Sequence, residues 1–162
     1  MNSSLKKEVV IALNLEHKAW YFYNYAGDLC RKNAFNNLFK WFKKEAMEEL
    51  DHANIVSEFL LNLDEDYIYE GLNDNSYTVQ NDLNAIENLF VKAAEFETII
   101  KDQYIKIKIL ADELKDEAVS EFTDKFIHMQ TEEIKKFKDH ALNARRCKGD
   151  QFNMFLFDES FK

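Results

Sequence analysis

Apolar side chains recur every third or fourth position over four long stretches of this chain, the spacing of amphipathic helices. The first stretch runs from about residue 4 to 31 and carries Leu5, Val9, Leu13, Trp20 and Tyr23 on one side. A polar break, RKNAFNN, leads into a second stretch over about 35–61. The segment NLDEDYIYEGLNDNSYTVQ then shows no clear helical period, is rich in Asn and Asp, and reads as a long connection. A third stretch covers about 82–115 and a fourth about 117–146. After Gly149 the amphipathic segment QFNMFLFDESF, within about 150–161, forms either a short fifth helix or an extended tail.

Stretches of roughly 28 residues make helices about 42 Å long. The short breaks between the first and second and between the third and fourth predict two antiparallel hairpins. A connection of about 18 residues can extend to roughly 60 Å, enough to run the full length of a bundle. The expected fold is all-α: a four-helix bundle over about 4–146 with one long crossover and a short C-terminal helix. It forms a single domain over 1–162. An up-down-up-down bundle with a loose loop is the alternative topology.

Composition strengthens the helical reading. The chain has no proline and three glycines, so the main helix breakers and turn formers are scarce. Its formal charge is −9, with 30 acidic residues spread along the sequence. Such a surface repels phosphate backbones and anionic lipids, so no nucleic acid and no membrane partner is expected, and cations are the favoured ligands. Cys30 and Cys147 form no metal-binding spacing and are expected as buried or free thiols. No apolar leader opens the sequence, and no stretch approaches the roughly 20 apolar residues of a membrane span. A cytoplasmic location is expected.

The candidate chemistry lies in a few polar residues set into apolar stripes. Glu16 has Leu13, Trp20 and Tyr23 on its face, and Glu49 has Phe42 and Phe59. Glu95 has Val91 and Ile99, and Glu133 has Phe126, Met129 and Phe137. Glu49 and His52, three positions apart, project from one helical face and can share an ion. By itself that spacing is common. Hairpin geometry adds weight, because positions at equal height lie symmetrically about a turn. The midpoint of Glu16 and Glu49 falls at Lys32–Asn33, and that of Glu95 and Glu133 at Leu114. Both midpoints coincide with independently expected turns. A carboxylate in an apolar stripe is costly unless it is paired or binds a cation, and few lysines or arginines fall on these stripes. An oxygen-rich set with one imidazole suits iron or manganese better than structural zinc, with Glu49 the natural bridge between two ions.

These residues together resemble the bacterial non-haem ferritins over nearly the whole chain. The likeness rests on Asn14-x-Glu16, on Tyr23 seven residues further, and on Glu48-Glu49-x-x-His52-Ala53. It continues through a lone Glu95, through Gln130-x-Glu132-Glu133 and through the tail GDQFNMFLFDES. The resemblance implies a di-iron centre. Glu16, Glu49 and His52 would bind the first iron, and Glu49, Glu95 and Glu133 the second, with Gln130 nearby. Tyr23 would stand beside the centre as an electron source or as a plain core tyrosine. The resemblance further implies oxidation of Fe(II) by O2 or H2O2, iron storage, and a homo-oligomeric cage of 24 subunits. No haem is expected, since Leu50 follows Glu49 where haem-binding relatives place a methionine. A third, peripheral iron site would use Glu48 and Glu132, but Met129 stands where another carboxylate is needed.

Two other functions compete with storage. A non-storage di-iron oxidase or peroxidase usually presents Glu-x-x-His on two helices, some with paired CxxC; this chain has neither. A metal-free helical-bundle shell conflicts with ligand-type residues at every position the family uses. His128 and His140 are expected to be solvated, and His17 to lie at a surface or interface. Asp112, Asp116, Glu117 and Glu121 would either line an iron entry channel or serve as solvated residues at a helix start.

Overall fold

A computed structural model describes residues 1–71 and 78–162, and its helices follow the apolar stretches within a few residues. They are α1 (Ser3–Lys32), α2 (Asn36–Asn62), α3 (Ala85–Leu114), α4 (Glu117–Arg146) and α5 (Gln151–Glu159). Among the described residues no strand occurs. None of the helices is long and apolar enough to cross a membrane. Cys30 and Cys147 are both buried free thiols.

Local chemistry fixes the helix ends. The Asn2 side chain accepts a hydrogen bond from Ser4 N at 2.9 Å, and Asp116 caps α4 through Val119 N at 3.2 Å. Asp116 is thus a capping residue, and Asp112 accepts from Ser120 at 2.6 Å. The turns use left-handed backbone at Ala34 (φ 63°) and Lys115 (φ 57°), and Gly149 (φ 68°) turns the chain into α5. Phe35, at the N-cap of α2, offers no capping side chain. Asp158 of α5 supplies the cap instead: it accepts from Leu38 N at 2.8 Å and from Asn37 Nδ2 at 3.0 Å. A buried carboxylate there also complements the positive end of the helix dipole.

Side-chain contacts define the topology. From α1 to α3 the chain pairs Glu8 with Gln103, Glu16 with Tyr104 and Tyr23 with Glu97, so these helices run antiparallel. From α2 to α4 it pairs Trp41 with Phe137, His52 with Phe126 and Phe59 with Phe122, again antiparallel. With both hairpins closed by short turns, the α2–α3 connection must return along the whole bundle. It does so beside α1. Glu65 pairs with Lys6 at 3.0 Å, Glu70 N donates to Asn14 Oδ1 at 3.0 Å, and Val79 N donates to Tyr25 Oη at 2.9 Å. Asn33 then donates to Asn81 at 2.8 Å. The long crossover is therefore present, and the up-down-up-down alternative is excluded.

Two aromatic layers bracket the middle of the bundle. Phe22, Tyr23, Phe42, Phe90 and Phe137 are almost wholly buried on one side, with Tyr23 and Phe137 stacked at 5.2 Å. Toward the other end Tyr104 stacks on Phe126 at 4.5 Å, and Phe59 on Phe122 at 3.9 Å. Each ring of this size contributes roughly 1.5–3 kcal/mol by leaving water. Phe90 and Trp41 also enclose His140, which is half-buried against both rings; the expectation that it is solvated does not hold. His128 is exposed. Close approach of α1 and α2 needs Gly27, where a Cβ would meet Phe39 O and Lys43 Cε at 3.3 Å.

Candidate metal centre

Between the aromatic layers the core turns polar. On α1 the inward stripe Ala12, Leu13, Glu16, Ala19 and Tyr23 is buried, and Glu16 has no exposed surface. On α2 Glu49 is 1 % exposed, and His52 lies one turn further on the same face. One ligand atom from each of Glu16, Glu49 and His52 lies within 4.8 Å of the other two. His52 Nδ1 stands 3.4 Å from Glu49 Oε2 and 3.9 Å from Glu16 Oε2. The structure thus brings together the three residues expected to form a first metal position.

The third helix contributes a different carboxylate from the one expected. Glu95 is exposed on the outer face, beside the exposed Ile99, while Glu97 is fully buried. The reason is helical phase. Positions 95 and 97 differ by about 200° around a helix. The buried stripe of α3 runs Ile86, Phe90, Ala93, Glu97, Ile100, Tyr104, Ile107 and Ala111, at alternating steps of four and three. Of the two apolar residues that bracket Glu95, Ile99 is exposed and Val91 packs partly buried at the edge of the core.

On α4 Gln130 is fully buried, and neither its amide oxygen nor its nitrogen has a hydrogen-bond partner among the described residues. Glu133 is half-buried and paired with Lys136. Lys136 also reaches Glu45, itself 3 % exposed, at 2.5 Å. One lysine does therefore reach the polar layer. Its ammonium lies 5.6 Å from the centre of the Trp41 ring and 5.0 Å from that of Phe137. The peripheral residues are occupied elsewhere or open to solvent: Glu48 pairs with Lys44 at 3.4 Å, and Glu132 is exposed.

Two tyrosines orient the buried carboxylates. Tyr104 donates to Glu16 Oε1 at 2.6 Å, and Tyr23 donates to Glu97 Oε1. In both glutamates Oε2 is left with no hydrogen-bond partner among the described residues. An unsatisfied buried carboxylate oxygen is expensive, and two of them together with a bare glutamine amide point to a place for a bound group.

The electrostatics point to what that group is. Burial drives the pKa of Glu16 and of Glu49 well above the usual carboxylate range, and neighbouring carboxylates push the same way. Burial raises Glu97 to about 8, although the Tyr23 hydrogen bond opposes the shift. Burial also raises Glu45 against the pull of Lys136. For Lys136 itself burial opposes the charge, but Glu45 and Glu133 outweigh it and its pKa is raised. With all ionised, the five carboxylates of Glu16, Glu45, Glu49, Glu97 and Glu133 face one ammonium. Four negative charges remain, the charge that two divalent cations would balance. The donors are hard oxygens plus one imidazole, a set suited to iron or manganese.

Sequence reasoning missed Glu97, Tyr104, Glu45 and Lys136. The four-three repeat along α3 is the signal that identifies Glu97 and Tyr104.

The comparisons with known proteins agree with the fold. Residues 8–147 match the ferritin family, described as the ferritin-like domain. A bacterial non-heme ferritin of Staphylococcus epidermidis is 23% identical over 159 residues, which cover 96% of this chain and 93% of that protein. The backbone is similar to that of an open pore ferritin from the hyperthermophilic archaeon Archaeoglobus fulgidus. That likeness has a TM-score of 0.90, covers 99% of this chain and 97% of the other, and with 17% identity speaks for the fold. With the family matched across the four long helices and their crossover, the chain belongs to the ferritin family as a ferritin-like domain.

Proposed function

We propose that the protein is an iron-storage ferritin whose mid-bundle site oxidises Fe(II) to Fe(III). Its family gives a ferritin-type, iron-related role. The observation that carries the finer reading is the convergence of Glu16, Glu49 and His52 within 4.8 Å in the polar layer between the two aromatic layers of the core. In this reading Fe(II) is the substrate. Glu16, Glu49 and His52 bind the first ion, while Glu49, Glu97 and Glu133 take the second, with Gln130 beside it. Each iron gives up one electron, and the pair supplies the two electrons that, with two protons, reduce O2 to H2O2. Where H2O2 is the oxidant, the same two electrons and two protons give water. The unpartnered oxygens of Glu16 and Glu97 are free to accept the metal, because the tyrosines already hold their other oxygens. Tyr23 orients Glu97 and is a candidate electron donor to the iron pair. Fe(III) then leaves for a mineral inside a cytoplasmic homo-oligomeric cage of 24 subunits.

The test is Fe(II) oxidation under air, combined with gel filtration and a count of the iron retained. A cage that oxidises Fe(II) and keeps many irons per subunit supports storage. A small oligomer that retains two irons indicates a fixed-cofactor oxidase, and no oxidation with no retained iron indicates a structural shell. Glu49→Ala and His52→Ala are each expected to lose the fast phase of oxidation while keeping their helical circular dichroism. Wild-type rates in both variants would refute the site.

A further inference from the structure

Among the described residues, the lysine ion pair on the Glu133 side of the centre has no counterpart on the Glu16 side. Lys136 Nζ lies between Glu133 and Glu45, at 2.5 Å from the latter, and over the ring faces of Trp41 and Phe137. Its side chain remains 29 % exposed. The ammonium therefore has a way out to solvent, whereas Glu45 is a fixed, buried anchor. By contrast, among the described residues the groups beside the first position are the His52 imidazole and the Tyr104 hydroxyl, and neither brings an obligatory positive charge.

We propose that Lys136, anchored by Glu45, is a resident counter-ion that occupies Glu133 whenever the second metal position is empty, so that the two positions of the centre fill in order and with unequal affinity. The first divalent ion binds at Glu16, Glu49 and His52 without displacing a cation. The second must take Glu133 from Lys136, whose long stem then carries the ammonium outward while Glu45 keeps hold of it. Two consequences follow for an iron-handling protein. The second ion arrives only where a first already sits, and it is released readily because an internal cation waits to replace it. Lys136 touches no substrate on this account; it is a positioning residue that acts through Glu133. The inference rests on the metal-site reading above.

The experiment is a calorimetric titration of the assembled protein with Zn(II), which binds without redox chemistry, on wild type and on Lys136→Met/Glu45→Gln. The double variant removes one positive and one negative charge together, so the net charge of the layer is unchanged and Glu45 is not left as an unpaired buried charge. Wild type is expected to bind two Zn(II) per subunit with affinities at least tenfold apart. The double variant is expected to tighten the weaker step by about tenfold, roughly 1.4 kcal/mol, and to shift the stronger step by less than threefold. Equal affinities in wild type would overturn the proposal, as would an unchanged weaker step in the variant or an equal shift of both steps. Loss of all Zn(II) binding from wild type would instead refute the metal site itself, so the two failures are distinct. Lys136→Gln, which keeps a polar stem, is expected to tighten the weaker step in the same direction should the double variant not assemble.

Discussion

Glu16 and Glu97 share one device. Each is fully buried, each spends one oxygen on a tyrosine hydroxyl, and each leaves the other oxygen bare. The tyrosine fixes the rotamer before any ion arrives, so ligand ordering costs less at binding. In the proposed centre this favours Glu97 over Glu95 as the α3 ligand. Glu97→Gln, which still accepts the Tyr23 hydrogen bond but loses the charge, is expected to slow Fe(II) oxidation by ten- to a hundredfold. Glu95→Gln, on the outer face, is expected to leave the rate unchanged. Stopped-flow oxidation of the two variants side by side checks the assignment, and the reverse order of effects would restore Glu95. The sequence could not separate them by hairpin symmetry alone. Glu95 and Glu133 centre on Leu114, while Glu97 and Glu133 centre on Lys115, and the turn itself occupies Lys115 and Asp116. A midpoint rule good to one residue cannot decide that. Lys136 escaped notice for another reason: its Cα stands beside the stripe, and only its long stem brings the charge inward. Glu16, Glu49 and His52 were legible because two adjacent helices joined by a short turn leave little freedom of register.

At the scale of elements, the crossover and α5 act as fasteners. Asn14 opens the Asn-x-Glu motif on α1, and its side chain is buried and hydrogen-bonded to the crossover through Glu70 N. Its part in the motif is thus to hang the connection on α1, two residues before Glu16. No periodicity announces such a role, since it depends on a segment distant in sequence. Asp158 does the same for α2. Asp158→Ala removes the cap from Asn37 and Leu38 and is expected to lower stability by about 1–2 kcal/mol. Urea unfolding followed by circular dichroism measures this, and an unchanged midpoint would mean that solvent or a neighbour caps α2 equally well. The helices themselves were readable because their breaks contain Asn and Asp and their interiors contain no proline.

At the scale of the whole molecule, burying the carboxylate cluster makes metal-free stability depend on pH. Glu97 rises from an ordinary value of 4.5 to about 8 on folding, so the folded state holds its proton more tightly than the unfolded chain. The stability contributed by that proton is complete below about pH 4.5 and is lost as pH rises to about 8. Glu16 and Glu49, raised in the same direction, add to the loss. The expected outcome for metal-free protein is a melting temperature that falls across this window, with a smaller fall in Glu97→Gln. Saturating Zn(II) is expected to restore stability at the alkaline end, because cations bind the folded cluster. Thermal melts at pH 5 and pH 8, with and without Zn(II), check all three; a flat profile for metal-free wild type would contradict the electrostatics of the site.

The cap on α2 also constrains how the molecule is made. Leu38 N and the Asp158 carboxylate that receives it are 120 positions apart. During translation α2 leaves the ribosome long before that carboxylate exists, and chains emerge at only about 5–20 residues per second. The nascent chain therefore carries an unfinished helix start for several seconds. It closes only when α5 has emerged, so a late-made stretch seals an early one.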